Sequence, residues 1–239
     1  MKLKNKTVLV TGGTRGIGLA IAKAMQDDGA NVILTYNCDD QSAEEASRAL
    51  NDNVAIFSCD QRSKEDINQL VSYLGENNAP VDILVNNAGI NRPNDFDAIT
   101  EDDWDDVLDT NLKGPFMLSQ QIMPLLKENG SIINIASVSG QYGGPRTTHY
   151  AASKAGLIAM TQNMAIFFAK KNIRVNCIAP GLIDSDMAKA ANDLKLDDKI
   201  LLKRYGKPEE VGRVAVFLAS DDASYMTAQT INVNGGLYF

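Results

Sequence analysis

Histidine is nearly missing from this chain. His149 is the single one, so a metal site built from several imidazoles is excluded. Cysteine is scarce: Cys38, Cys59 and Cys177 are three scattered thiols. Their odd number and the lack of CxxC spacing speak against a disulfide framework and fit a reducing cytoplasm, with each thiol expected to be buried and inert. No stretch approaches the ~18–20 apolar residues of a membrane span. The apolar run in MKLKNKTVLVTGG is too short for a signal-peptide core and reads as a first strand. Basic tracts are lacking as well. With a net charge of −7 and a pI near 4.8, nucleic acid and anionic membrane surfaces are disfavoured as partners. Repeats, low-complexity runs and linkers are absent, and the 239 residues read as one domain, 1–239, around a single large core.

What the chain does have is alternation. Short apolar runs predict strands at 7–11, 31–36, 54–58, 82–86, 132–137, 173–179 and 229–234. Amphipathic stretches predict helices near 16–28, 41–50, 63–77, 101–127, 150–170 and 208–219. Nearly continuous apolar strands separated by helices indicate an α/β fold, a doubly wound parallel sheet covered on both faces. The polar stretch 183–206 follows Pro180-Gly181 and fits either a flap over a site or an ordinary surface excursion.

Between the first strand and helix lies TGGTRGIG. Gly12, Gly16 and Gly18 there permit a tight turn and close approach of backbone to a pyrophosphate, and a helix N-terminus follows. The second strand ends in Tyr36-Asn37, without the carboxylate that usually reads a ribose and repels a 2′-phosphate. Arg15 either faces such a phosphate or is solvated, and Asp39 and Asp40 lie nearby. NADP is thereby favoured over NAD. Asp60 after the third strand either accepts from an adenine amino group or caps the helix that begins near Ser63. Asn86 and Asn87 either hold the crossover loop or line the cofactor. Asn111 is polar within WDDVLDTNLKGPFMLSQQ, and Gly114-Pro115 should kink that helix and expose a backbone carbonyl.

The chemistry is expected in SVSGQYGGPRTTHYAASK (137–154). Tyr150 and Lys154, four apart, share a helix face. An ammonium one turn away should stabilise the phenolate and lower its pKa. Ser137 ends the preceding strand, where its hydroxyl can bond a substrate carbonyl oxygen. The trio suits carbonyl–alcohol interconversion; the bland alternative is a surface Tyr with a solvated Lys.

TGGTRGIG, NNAG, Asn111, Ser137, YAASK and PG (180–181) stand in the order and spacing of the short-chain dehydrogenase/reductase family, which the chain resembles along essentially its whole length. NNAGINR, WDDVLDTNLKG, RVNCIAPGLIDSDM and GKPEEVGRVAVFLASDDASYMTAQTINVNGG are most similar to its 3-oxoacyl-acyl-carrier-protein reductase branch. The resemblance implies a Rossmann sheet of about seven strands, a nicotinamide cofactor and reduction of 3-oxoacyl thioesters; reduction of small ketones, sugars or polyols is the alternative, and a non-catalytic nucleotide sensor a further one. It makes Tyr150 the proton donor, Ser137 the orienter of the carbonyl, Lys154 the ribose ligand that tunes Tyr150, and Asn111 the holder of a relay water. It implies cofactor contacts at Gly12, Thr14, Arg15, Gly16, Ile17, Gly18, Asn37, Asp60, Gln61, Asn87, Tyr150, Lys154 and Ile183. It also implies a homotetramer that buries the long helices and the tail GGLYF. Four residues depart from the branch. Glu128 and Asn129 stand where basic residues precede the fifth strand, which disfavours docking of an acidic carrier protein, although Lys170 and Lys171 keep some charge before the sixth. His149 replaces a small or amide residue, and Ser185 a Thr. Substrate contacts should come from 90–98, 138–148 and 183–206.

Overall fold

The computed structural model describes residues 1–50, 54–185 and 199–239. Seven strands form one sheet: β1 Thr7–Val10, β2 Asn31–Tyr36, β3 Ala55–Ser58, β4 Val81–Asn86, β5 Leu126–Ile135, β6 Arg174–Pro180 and β7 Thr230–Val233. Every pairing is parallel, in the order β3-β2-β1-β4-β5-β6-β7. The chain starts mid-sheet, winds outward through β2 and β3, then crosses back to place β4 on the other side of β1. That reversal opens a crevice at the strand C-termini, the usual place for a ligand in such sheets.

The helices are α1 Gly16–Asp27, α2 Asp40–Ala49, α3 Lys64–Glu76, α4 Glu101–Leu108, α5 Gly114–Gln121, α6 Ser139–Tyr142, α7 Thr148–Phe168 and α8 Pro208–Ala219. Strand alternation sends side chains to two layers. Val8, Val10, Leu34, Ile133 and Ile178 pack with Ile21 and Met25 of α1 and Val211 and Ala215 of α8. Leu9, Ile33, Leu84, Ile132 and Val175 pack with Leu70 and Leu74 of α3, Leu118 of α5 and Phe168 of α7. Each large side chain so buried contributes roughly 1.5–3 kcal/mol of transfer free energy. No helix among the described residues is long and apolar enough to cross a membrane.

Most predicted elements fall within two residues of the observed ones, and the differences have physical causes. The single helix expected over 101–127 is broken. A π-helical turn occupies Asp109–Lys113, and the Gly114 amide reaches back to the Asp109 carbonyl. Pro115 has no N–H to offer the Asn111 carbonyl four residues earlier, so the regular ladder cannot pass through. The fifth strand starts earlier than expected: Leu126 pairs with Val81 before a register shift brings Ser131 opposite Ile83. Cys38 is exposed rather than buried, whereas Cys59 and Cys177 are buried, and burial pushes their thiols up to about 12 and about 11. Of the proposed flap, residues 186–198 lie outside the described residues. Its base is tied by backbone bonds from Asp184 N to Gly206 O (2.8 Å) and from Gly206 N to Leu182 O (2.9 Å).

Candidate active site

The sequence-derived site residues converge on the C-terminal ends of the strands. Gly12 to Gly18 link β1 to α1, Asn37 follows β2, Asp60 and Gln61 follow β3, and Asn87 follows β4. Asn111 lies in the π-turn, Ser137 just beyond β5, Tyr150 and Lys154 in α7, and Ile183 beyond β6.

The glycine loop is shaped from within. Gly18 lies so close to the Gly12 carbonyl and the Asn87 amide that a Cβ would collide with both. Gly16 has φ of +54° and nothing within 4 Å of where its Cβ would stand, so its backbone faces open space in a conformation that favours glycine. Asn87 Nδ2 donates to the carbonyls of Thr11 and Gly12, both at 2.9 Å. The Thr11 hydroxyl accepts from the amides of Asn87 and Ala88, both at 3.0 Å. Asn87 therefore braces the loop. No side chain caps α1 and its first turn has no acidic residue, which leaves its leading N–H groups available to an anion. An open, glycine-lined cradle against an uncapped helix fits the pyrophosphate of a dinucleotide.

Beyond the ends of β1 and β3, two side chains of the expected cofactor contacts are already paired. Arg15 Nη1 contacts Asp39 Oδ2 at 3.1 Å. The Asp60 carboxylate accepts from Arg62 N at 2.9 Å and from Arg62 Nη2 at 2.7 Å, and the Arg62 hydrogen bond holds its pKa below the usual range. The cap of α3 is Ser63, not Asp60. From Arg62 a ladder of alternating charge runs on: Arg62 Nη1 to Asp106 at 2.6 Å, Asp106 to Arg92 Nη2 at 2.6 Å, and Arg92 Nη1 to Asp103 at 3.2 Å. It joins the end of β3, α4 and the loop after β4. Gln61 is buried with neither amide atom hydrogen-bonded.

The reactive residues sit on a polar frame. Fully buried Asn111 accepts from Ile90 N at 2.8 Å and donates to Ile90 O at 2.9 Å and Ser153 Oγ at 3.1 Å. Its side chain thus pins the β4–α4 loop to α7. Lys154 is buried, and Nζ donates to the Ile135 carbonyl at 2.8 Å. Burial lowers its pKa to about 8. A Cβ on Gly89 would stand 3.1 Å from Asn111 Oδ1 and 3.2 Å from Lys154 Nζ, so the loop passes directly over both. Ser137 Oγ accepts from the Ser139 amide at 3.1 Å.

Tyr150 differs from expectation. Although part of the residue is open to solvent, burial raises the pKa of its phenol, and a hydrogen bond with Ser137 offsets part of that rise. Lys154 does not lower it: Nζ lies 5.6 Å from the ring centroid and is turned towards β5. The shared helix face brings the two side chains together, but the carbonyl of Ile135 captures the ammonium. His149, beside Tyr150 in sequence, is fully buried, and neither ring nitrogen has a well-formed hydrogen bond. Burial lowers its pKa and outweighs the pull of Asp103 and of the Arg92 backbone. Thr11, Ser153 and the buried Ser119, Asn134 and Thr161 that flank Asn86 carry the frame and, unlike Asn86, do not stand out in the sequence. Their only signal was a polar residue on an otherwise apolar strand or helix face.

Comparison with known proteins bears on the family and the fold. The family model described as "Enoyl-(Acyl carrier protein) reductase" matches residues 12–238. The chain is similar to the "3-oxoacyl-[acyl-carrier-protein] reductase FabG" of Staphylococcus epidermidis, with 42% identity over 249 residues, covering 98% of this chain and 99% of the relative. A short-chain dehydrogenase/reductase described as glucose/ribitol dehydrogenase from Brucella melitensis superposes with a TM-score of 0.92 at 34% identity, over 100% of this chain and 99% of that one. A blue fluorescent protein from a metagenomic library, solved in complex with NADPH, superposes with a TM-score of 0.94 at 32% identity, over 100% of both chains.

Proposed function

The chain belongs to the short-chain dehydrogenase/reductase family and is an oxidoreductase of CH–OH/C=O groups; from that premise we propose that it is a cytoplasmic, NADPH-dependent reductase of 3-oxoacyl thioesters. The observation that carries the reading is the convergence of Ser137, Tyr150, Lys154 and Asn111 at one end of the sheet, beside an open phosphate cradle. When bound, the dihydronicotinamide supplies the hydride. The chain's own residues do the rest. Ser137 orients the substrate carbonyl, and its present acceptor role leaves the hydroxyl proton to donate. Tyr150 delivers a proton to the carbonyl oxygen; its raised pKa keeps the phenol protonated at neutral pH. Lys154, held at the Ile135 carbonyl, bonds the ribose and supplies positive charge beneath the phenol. The Asn111 carbonyl, without its regular partner, holds a water that returns a proton through Lys154. Arg15, paired with Asp39 in this structure, would turn to the 2′-phosphate, and positions 36 and 37 themselves carry no carboxylate.

The test is a panel of acetoacetyl thioesters, simple ketones, diketones and keto sugars with each cofactor. We expect NADPH to outperform NADH and the thioester to be reduced best. With Glu128 exposed and the net charge at −7, a carrier-linked thioester should have little advantage over a short mimic. Equal or higher kcat/KM with NADH, or a strong salt-sensitive preference for the carrier-linked form, contradicts the corresponding part of this reading.

A further inference from the structure

Arg15 is the cation assigned above to the 2′-phosphate, and it is not waiting free. Its Nη1 lies 3.1 Å from Asp39 Oδ2. Asp39 is itself held in place. Its Oδ1 accepts from the Ser42 amide at 3.0 Å and caps α2, while its Oδ2 accepts from the Ser42 hydroxyl at 2.6 Å. These bonds do not depend on Arg15, so the carboxylate stays at the end of β2 whether or not the guanidinium leaves it. A second carboxylate, that of the next residue Asp40, accepts from the Tyr36 hydroxyl at 2.9 Å. A phosphate dianion entering here has to take Arg15 from Asp39 and then sit beside that anchored negative charge. NADH, lacking the 2′-phosphate, meets neither demand.

We propose that Asp39 is a specificity-determining residue, which engages Arg15 before the cofactor arrives and then opposes the 2′-phosphate, limiting the preference for NADPH over NADH that Arg15 confers. This rests on the reading of the site as an NADPH site and identifies a residue that works against it. The pair is exposed, so the effect is moderate and screened by salt.

The experiment titrates NADPH and NADH into the substrate-free protein by nicotinamide fluorescence, for the unmodified chain and for Asp39→Ser. Serine is itself a good helix cap, so α2 should survive, and a thermal melt checks this. The expected result is a roughly three- to tenfold tighter Kd for NADPH, with NADH within about twofold, and a gain that shrinks as salt rises. In an Arg15→Gln background the gain should be smaller, since release of Arg15 no longer contributes. An unchanged Kd for NADPH overturns the proposal, as does an equal tightening of both cofactors, which would assign Asp39 to ordering the loop alone. Tighter binding of NADH than NADPH by the unmodified protein would instead count against the proposed cofactor. A selective gain for NADPH on Asp39→Ser would then still uphold the role of Asp39.

Discussion

The proposed reaction asks for a proton at Tyr150, and the groups around it differ in their capacity to provide one. His149 is its nearest titratable neighbour in sequence, but burial keeps that imidazole neutral, and it is packed away from solvent. Tyr150→Phe should therefore lower kcat/KM by about 10²–10⁴-fold, the typical worth of a general acid, with NADPH affinity nearly unchanged by fluorescence titration. Retention of more than about a tenth of the activity would remove Tyr150 from its role. Lys154 gives a second expectation. Its pKa is pushed down to about 8, so the ammonium is present below that pH and lost above it, while the phenol, pushed upward, stays protonated across the same range. A profile of kcat/KM for reduction should be level below about pH 8 and fall above it. A rate that stays level well into the alkaline range would mean that the charge of Lys154 is not needed. The pairing of Tyr150 with Lys154 was legible from four-residue spacing. The direction of the Tyr150 shift was not, because it comes from burial of the phenol in the folded chain, and no local pattern encodes that.

Among the elements, the broken helix between β4 and β5 matters most. Gly114-Pro115 announced a break, yet the π-turn ahead of it and the two-point grip of Asn111 on Ile90 come from a long-range fit to the loop and to α7. Asn111→Leu removes three hydrogen bonds and leaves the N–H and C=O of half-buried Ile90 without those partners. Each such loss costs about 1–3 kcal/mol. For a chain of this size each kcal/mol shifts Tm by about 2–4 °C. We expect Tm to fall by roughly 4–24 °C, and kcat to fall with it as the β4–α4 loop shifts over Lys154. A Tm within about a degree of the parent would show that the grip contributes little. Strand assignments were the most legible part, since parallel strands buried on both faces carry near-continuous apolar runs. The start of β5 was not, because LLKENG lacks such a run and Leu126 joins the sheet through a single pairing with Val81 before the register shifts.

For the whole molecule, apolar side chains stand out on the surface. Ile166 and Phe167 of α7 are 75% and 52% exposed, Phe116 of α5 is 49% exposed, and the terminal Phe239 is 95% exposed. Family resemblance and this surface together favour a homotetramer that covers them, since exposed apolar patches of this kind mark association surfaces. Light scattering at micromolar concentration should report four copies, and Ile166→Glu combined with Phe167→Glu should shift the mass to a smaller species. A monomeric parent would refute the assembly. The layering of the fold was readable from the alternation of strands and helices. The neighbours of α1 were not, since sequence distance hides them: α1 packs on α8, and a Cβ on Gly212 would come within 2.8 Å of the Ala20 carbonyl. That closeness has a consequence for synthesis. The helix that follows the cradle can pack Ile21 and Met25 on β1 and β2 early, but the part of its face that meets α8 stays uncovered until that partner, about two hundred residues later, leaves the ribosome. At ~5–20 residues per second, the nascent chain carries that apolar face for roughly ten to forty seconds. Contacts so distant in sequence also close slowly. The cradle is therefore made well before the helix that completes its packing, and a chaperone acting on the nascent chain would find its target there.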